Sequence, residues 1–318
     1  MSDGTSATAF HIGVDLSGAR VLAGVFNPSF QLLGKSKFSP KPERGSAAVL
    51  DRIARCIRDS VDECDLTLKE IRGIGIAVPG AVDADAGLVL TARRLELENV
   101  PLKSELERRL RLPVVIENDC NAAALAIYAQ ELDSKPRHFV AVFLERPSPV
   151  GMIVEGRFGS EMTHNFPAPI PELVPLLDNP DVRNPAKQLR KAAYSRVAGA
   201  EEQIHAFAQR AGEFVAHIMD LLHPDVLALG GGAIEELKEW FVPVILKNVR
   251  ERVQPEVVDE VELFVSELGK DAGILGGAVL ASRSANPGFL THSIPDSRAF
   301  VVASTPAAKP AEREESEH

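Results

Sequence analysis

One motif in this chain occurs twice, and that repetition constrains the fold more than any other feature. Phe10 to Asn27 reads FHIGVDLSGARVLAGVFN: an apolar run, a tight turn containing glycine, then a second apolar run. From His138 to Gly156 the rhythm returns as HFVAVFLERPSPVGMIVEG, with prolines in the turn. Both stretches read as β-hairpins. Each is followed further on by an apolar strand that ends in glycine, GIGIAVPGAVD from Gly73 and DVLALGGGAIEE from Asp225. Helical patterns fill the intervals, with apolar residues at i, i+3, i+4 and i+7. SAAVLDRIARCIRDSVDEC has Ser46 as its expected N-cap, and LKSELERRL precedes the strand LPVVIEN. The Ala-rich CNAAALAIYAQEL follows that strand. A long helix is expected from about Gly199 to Leu222, and another from about Glu235 to Val253 leads into VELFVSE. The Gly-rich DAGILGGAVLASR closes the pattern, built to pack closely on something. Strands alternating with helices in two matching halves predict two related α/β domains facing each other across a cleft.

Composition excludes several classes of function. The chain has 318 residues, 45% of them hydrophobic and 25% charged, and no uncharged apolar stretch approaches the roughly 20 residues that span a bilayer. The start, MSDGTSATAF, has neither the basic nor the apolar region of a secretory signal, so a cytoplasmic protein without membrane partners is expected. Forty-five acidic against 35 basic residues give a net charge of −10, which disfavours nucleic acid as a partner. Cys56, Cys64 and Cys120 are odd in number and never closely spaced, so neither a cysteine-held zinc nor a disulfide framework is expected. Residues 1–9 and 284–318 read as disordered tails, the latter ending in ASTPAAKPAEREESEH.

Four places carry residues suited to chemistry. Asp15 ends the first strand beside Ser17 and Gly18. A carboxylate there can hold Mg²⁺ while backbone N–H groups face phosphate oxygens, or it can simply serve the turn. Glu117, Asn118 and Asp119 follow a buried strand and precede a helix, at the edge where open α/β sheets place ligands. Asn118 or Asp119 can equally cap that helix. Glu161 and His164, in GSEMTHNF, read as a zinc half-site or a surface pair. Gly230, Gly231 and Gly232 let a ligand approach the backbone, or form a tight corner between strand and helix.

Taken together, the residues from about Phe10 to Arg283 resemble the ROK family of sugar kinases and sugar-responsive repressors. LPVVIENDCNAAALA carries the resemblance most specifically, and GIAVPGAVD, EMTH, DVLALGGG and DAGILGGAVLAS support it. The resemblance implies two actin-like, ribonuclease-H-like ATPase domains flanking a ligand cleft. Residues 10–125 would form the N-terminal domain, with helix 270–283 packing back on it, and residues 126–269 the C-terminal domain. It implies Asp119 as the general base toward a hexose hydroxyl. Asn118, Glu161 and His164 would bind the sugar's hydroxyls and Gly80 would shape the pocket. Asp15 would orient Mg²⁺, Gly18 would lie in the first phosphate loop, and Gly230, Gly231 and Gly232 would lie against adenosine. Members are commonly homodimers. The repressor branch carries a winged helix ahead of the kinase-like part, whereas nine residues precede the first strand here.

Three family features are altered. The first phosphate loop usually reads DxGGT, but here it is Asp15-Leu16-Ser17-Gly18-Ala19. The second usually reads LGTGIGAG, but here Glu145, Pro147 and Pro149 replace three glycines. Proline removes N–H donors, and Glu145 places negative charge where phosphates would sit, with Arg146 beside it as a partial offset. The cysteine run that holds zinc in the family is replaced by NFPAPIPELVPLLDNP, so no zinc is expected. These residues predict a hexose-binding kinase-like protein whose phosphoryl transfer is weak or lost. An active Mg-ATP-dependent hexose kinase is the alternative.

Overall fold

The first repeat folds as the antiparallel pair β1 (Phe10–Leu16) and β2 (Val21–Phe26), with β3 (Leu32–Phe38) alongside β2. A crossover through α1 (Ser46–Asp62) leads to β4 (Ile71–Val78), which pairs parallel with β1. Three short strands, β5 (Ala81–Asp83), β6 (Leu88–Ala92) and β7 (Leu97–Val100), form a separate antiparallel sheet. After α2 (Leu102–Leu110), β8 (Val114–Asn118) pairs parallel with β4, completing a five-stranded sheet in the order β3-β2-β1-β4-β8. The parallel strands are covered on both faces, so β4 is a nearly continuous apolar run. This computed structural model describes residues 9–146, 149–159, 168–170 and 184–284.

The second repeat builds the same sheet again. After α3 (Asp119–Gln130), strands β9 (His138–Phe143), β10 (Val150–Val154) and β11 (Arg157–Phe158) run antiparallel. The helices α4 (Pro185–Tyr194) and α5 (Ala200–Leu222) lead to β12 (Val226–Gly230), parallel to β9. Then α6 (Gly232–Arg252) and the short α7 (Pro255–Glu260) lead to β13 (Glu262–Val265), parallel to β12. The order β11-β10-β9-β12-β13 repeats the first sheet strand for strand. The expected pair of facing mixed sheets is therefore present.

Two helices join the halves. α3 is buried on every side from Asp119 to Tyr128, and α8 (Ala272–Arg283) packs on α3, β1 and β4. Both contribute to an apolar core that also takes in Leu22 and Phe26 from the first sheet and Phe139 and Phe143 from the second. The approach is backbone to backbone. A Cβ on Gly13 would lie 1.6 Å from the Ile274 carbonyl oxygen, and one on Gly276 would lie 1.8 Å from that of Ala122. The glycines of DAGILGGAVLASR are thus the means by which α8 rests on its neighbours.

Several local expectations are corrected. Ser46 is the first residue of α1 and not its cap. Gly45 takes the N-cap position at φ 84°, where it ends a preceding 3₁₀ turn over Pro42–Arg44. The helix expected from Glu235 starts three residues earlier, at Gly232, and bends where Leu237 leaves helical geometry. The pattern did not disclose β3, β5 to β7, α4 or α7. Among the described residues, no helix is long and apolar enough to cross a membrane.

Sheet register sets the site. Asp15 lies opposite Ala77, Ala77 opposite Glu117, and Val78 opposite Asn118, so three polar positions meet at the carboxyl edge of one sheet. In the other sheet Gly230 lies opposite Phe143, two residues before Glu145.

Candidate active site

The turn from β8 into α3 divides the work of its three polar residues. Asn118 caps α3: its Oδ1 accepts from the N–H groups of Cys120 (2.9 Å) and Asn121 (3.2 Å). Its Nδ2 donates to the Gly80 carbonyl at 3.0 Å, locking the turn after β4 in place. Gly80 has φ 102°, and a Cβ there would lie 2.2 Å from the Thr91 carbonyl oxygen, so this turn admits no side chain. Glu117 is buried, and its Oε1 accepts from the Asn118 N–H (2.8 Å) and from Asn121 Nδ2 (3.0 Å). Asn121 in turn accepts from the Met152 N–H on β10 at 3.3 Å, which carries the network into the second sheet. Glu117 and Asn121 therefore frame the site, a role the sequence pattern did not reveal. Asn118 serves as the helix cap that its position allowed.

Asp119 faces the cleft, and its Oδ2 accepts from Arg146 Nη1 at 2.6 Å. The two side chains are 11% and 18% exposed, so this is an ion pair largely out of solvent. Arg146 also stacks on Phe143, its guanidinium carbon 5.0 Å from the ring centre. Burial pushes the Asp119 carboxyl up, Arg146 pulls it back, and the nearby Asp15 pushes it up further. Burial alone would weaken the Arg146 cation, but Asp119, Cys120, Asp15 and Glu145 together hold it firmly charged. Sequence reasoning set Arg146 beside Glu145 as an offset and missed its partner, because 27 residues separate it from Asp119.

Asp15, at the end of β1, is buried and pairs with Arg20 Nη2 at 3.1 Å. The turn that holds Gly18 is closed by Ser17 and Arg20, whose backbone N–H groups bond to the Arg20 carbonyl (2.8 Å) and to Ser17 Oγ (3.1 Å). Gly273 of α8 lies directly over Asp15, with room for no side chain between them.

The other wall of the cleft is the start of α6. Gly231 takes the N-cap position at φ 93°, directly after Gly230 ends β12. The Gly232 N–H donates to Glu145 Oε1 at 2.7 Å, and a Cβ on Gly231 would lie 2.3 Å from that oxygen. A helix N-terminus with free N–H groups is an anion site, and here the protein's own carboxylate fills it. Burial pushes Glu145 up, opposed by Arg146 and by the Gly232 and Ala233 N–H groups. Glu145 Oε2 has no hydrogen-bond partner among the described residues.

Glu145 holds the Gly232 N–H, Arg20 pairs with the Asp15 carboxylate, and Arg146 pairs with Asp119. No group of three or more His, Cys, Asp or Glu among the described residues is placed to hold a metal ion. The structure links Gly80, Asn118 and Asp119 through Arg146 and its neighbour Glu145 to Gly232, with Gly230 and Gly231 just before it, and sets Asp15, paired with Arg20 across the turn that holds Gly18, near Asp119. Glu161, His164 and Pro147 lie outside the described residues.

Known proteins are similar to this chain over most of its length. A glucokinase of Halalkalibacterium halodurans is 21% identical over 319 residues, covering 87% of this chain and 96% of its own. A glucokinase of Thermotoga maritima is 27% identical over 308 residues, covering 84% and 95%. Among solved structures, a ROK family glucokinase from Streptomyces griseus, in complex with glucose and AMPPNP, superposes with a TM-score of 0.67 at 22% identity, covering 86% of this chain and 99% of its own. That likeness shows the two-domain fold. The model of the ROK family matches residues 11–163 and 176–284, which take in both sheets, both joining helices and every cleft residue described above, and the chain belongs to that family.

Proposed function

We propose that this chain binds a hexose in the cleft beside Asp119 and Gly80, and that its phosphoryl transfer is weak or lost. The observation that carries the reading is one turn, Glu145-Arg146. Its carboxylate takes the Gly232 N–H at the start of α6, and its guanidinium takes the Asp119 carboxylate. A base held in a buried ion pair is poorly placed to accept a hydroxyl proton, and a buried carboxylate at the phosphate position repels ATP. The sugar side differs. Gly80, Asn118 and Asp119 are held by a complete hydrogen-bond network, and Glu161 and His164 are the further residues assigned to the sugar's hydroxyls.

A second reading has its own support. The glucokinases of H. halodurans and T. maritima align with 84% or more of this chain, and Asp15 and Asp119 are both in place. On this reading the chain is an ATP-dependent hexose kinase in which Arg146 gives up Asp119 when nucleotide binds, leaving Asp119 to take the proton of the attacking hydroxyl. Asp15 would then orient Mg²⁺, with Gly18 and Gly230 to Gly232 along the nucleotide.

A coupled kinase assay on a panel of hexoses with Mg-ATP, run beside thermal shifts with sugar alone and nucleotide alone, decides between them. The first reading expects stabilisation by hexose and little by Mg-ATP. Glycine at positions 145, 147 and 149 together with Ala19→Thr should raise ATP binding, and Asp119→Asn should abolish the turnover so gained. Micromolar binding of Mg-ATP with turnover of roughly 1–100 per second by the unaltered protein would establish the second reading.

A further inference from the structure

We propose that Glu131 is a releasable clasp between the two chain connections that join the halves of the molecule, and that its release lets the two sheets move relative to each other. The clasp acts whatever the cleft binds.

The chain passes from the first sheet to the second through α3 and residues 131–137, and it returns through residues 266–271 into α8. The first connection is anchored at both ends. Lys135 Nζ donates to the Tyr128 carbonyl of α3 at 2.7 Å, and the Arg137 and His138 N–H groups donate to Asp225 Oδ2, just before β12, at 2.8 and 2.9 Å. The second is anchored likewise. The Ser266 N–H donates to the Leu229 carbonyl of β12 at 2.9 Å, and Asp271 pairs with Lys35 of β3 at 3.0 Å. Glu131 bridges the two connections: its Oε1 accepts from the Glu267 N–H at 2.7 Å, across 136 residues.

A hydrogen bond to a carboxylate is of the stronger kind, so this one outweighs the Lys35–Asp271 pair, whose side chains are 38% and 36% exposed. Yet the clasp is only half satisfied. Glu131 Oε2 is buried with no hydrogen-bond partner among the described residues. A carboxylate oxygen kept dry and unpaired costs free energy that water returns once the bond opens, so release is easy. What the clasp governs follows from the course of the second connection. Gly269, at φ 51°, lies against Glu235 in the first turn of α6, where a Cβ would come 2.5 Å from Glu235 Oε2, and Gly273 lies over Asp15. The connection thus touches both walls of the cleft, and tying it to the end of α3 restrains their separation.

Hydrogen–deuterium exchange of the ligand-free full chain, beside small-angle X-ray scattering, tests this in Glu131→Ala, Glu131→Gln and Lys35→Ala. Glu131→Ala should speed exchange of the Glu267 amide and its neighbours in 266–271 about tenfold or more and alter the scattering profile, while β1, β4, β9 and β12 keep their protection. Glu131→Gln, which keeps an acceptor, should retain most of the wild-type protection, and Lys35→Ala should change it less than about threefold. If Glu131→Ala does not fold, Glu131→Asp, one methylene shorter, withdraws the carboxylate and reads the same effect. Exchange in 266–271 that is unchanged by loss of the carboxylate overturns the inference. So does a rise spread evenly over both sheets with a matching fall in melting temperature, the mark of a merely structural contact. Local loosening with unaltered scattering overturns it too, because the sheets would then stay fixed without the clasp.

Discussion

Arg146→Met should be among the most damaging conservative changes in the cleft, and its cost can be bounded from the structure. The substitution keeps the aliphatic stem against Phe143 but removes the partner of a carboxylate that is 11% exposed. Breaking a buried ion pair from one side costs about 3–5 kcal/mol, because the remaining charge is stranded. The stranded carboxyl has an escape, since it can take up a proton. At pH 7 that costs about 4 kcal/mol for a group whose ordinary pKa is 3.8, which caps the penalty. The expected loss is therefore about 3–4 kcal/mol at neutral pH. Its sign with pH follows. A carboxyl whose folded-state pKa is raised contributes full stability below its unfolded value and loses it as pH rises, so the deficit should shrink toward pH 4. Urea denaturation at several pH values, followed by far-UV circular dichroism, measures it. Adding Asp119→Asn should recover part of the loss at pH 7, because Asp119 is then no longer stranded while Glu145 still lacks the Arg146 charge that opposes its burial. A deficit below about 1 kcal/mol at pH 7, or one that persists unchanged at pH 4, would refute the pairing.

Two further outcomes follow from the same geometry. Glu145→Gln keeps an acceptor for the Gly232 N–H but removes a carboxyl that burial holds above its ordinary 4.5. The wild type should therefore lose stability relative to this variant as pH rises from about 4.5, by about 1.4 kcal/mol per pH unit until the folded carboxyl is ionised, as read by melts across pH. Gly276→Ala places a Cβ 1.8 Å from the Ala122 carbonyl oxygen and should cost about 3 kcal/mol or more, whereas Gly73→Ala, whose nearest neighbour is 3.6 Å away, should cost below about 1 kcal/mol in the same urea titration.

The elements legible in the sequence are those whose burial imposes a period. The hairpins β1–β2 and β9–β10 and the parallel strands β4, β8 and β12 stand out as apolar runs because both of their faces are covered. β3, LLGKSKF, does not stand out, since it is a largely exposed strand, and β5 to β7 are three to five residues each. α4 begins at Pro185, after a proline-rich stretch that masks its pattern. At the site, the β8–α3 turn was legible because strand edges gather ligands. The ion pairs were not. Asp119 meets Arg146, and Glu145 meets Gly232 across 87 residues, only once the two sheets are stacked on α3 and α8. Nothing local to either segment records those partnerships.

Glu145 and Arg146 are neighbours in one turn, yet their side chains serve opposite walls of the cleft. That arrangement makes the two halves of the chemistry interdependent. Glu145→Gly frees the Gly232 N–H and removes the repelling charge, but Asp119 remains held by Arg146. Arg146→Thr frees Asp119, but the buried Glu145 carboxylate still occupies the start of α6. Phosphoryl transfer needs donors on the phosphates and a free base in the same complex. Each single change should therefore raise turnover of a hexose with Mg-ATP less than tenfold, and the pair should raise it by far more than the product of the two, roughly a hundredfold or more. Turnover measured in the four proteins, with Asp119→Asn in the double-variant background as the blank, reads this directly. If Glu145→Gly alone gives the full gain, Arg146 does not restrain the base, and Asp119 would have to exchange its partner for the sugar hydroxyl without cost.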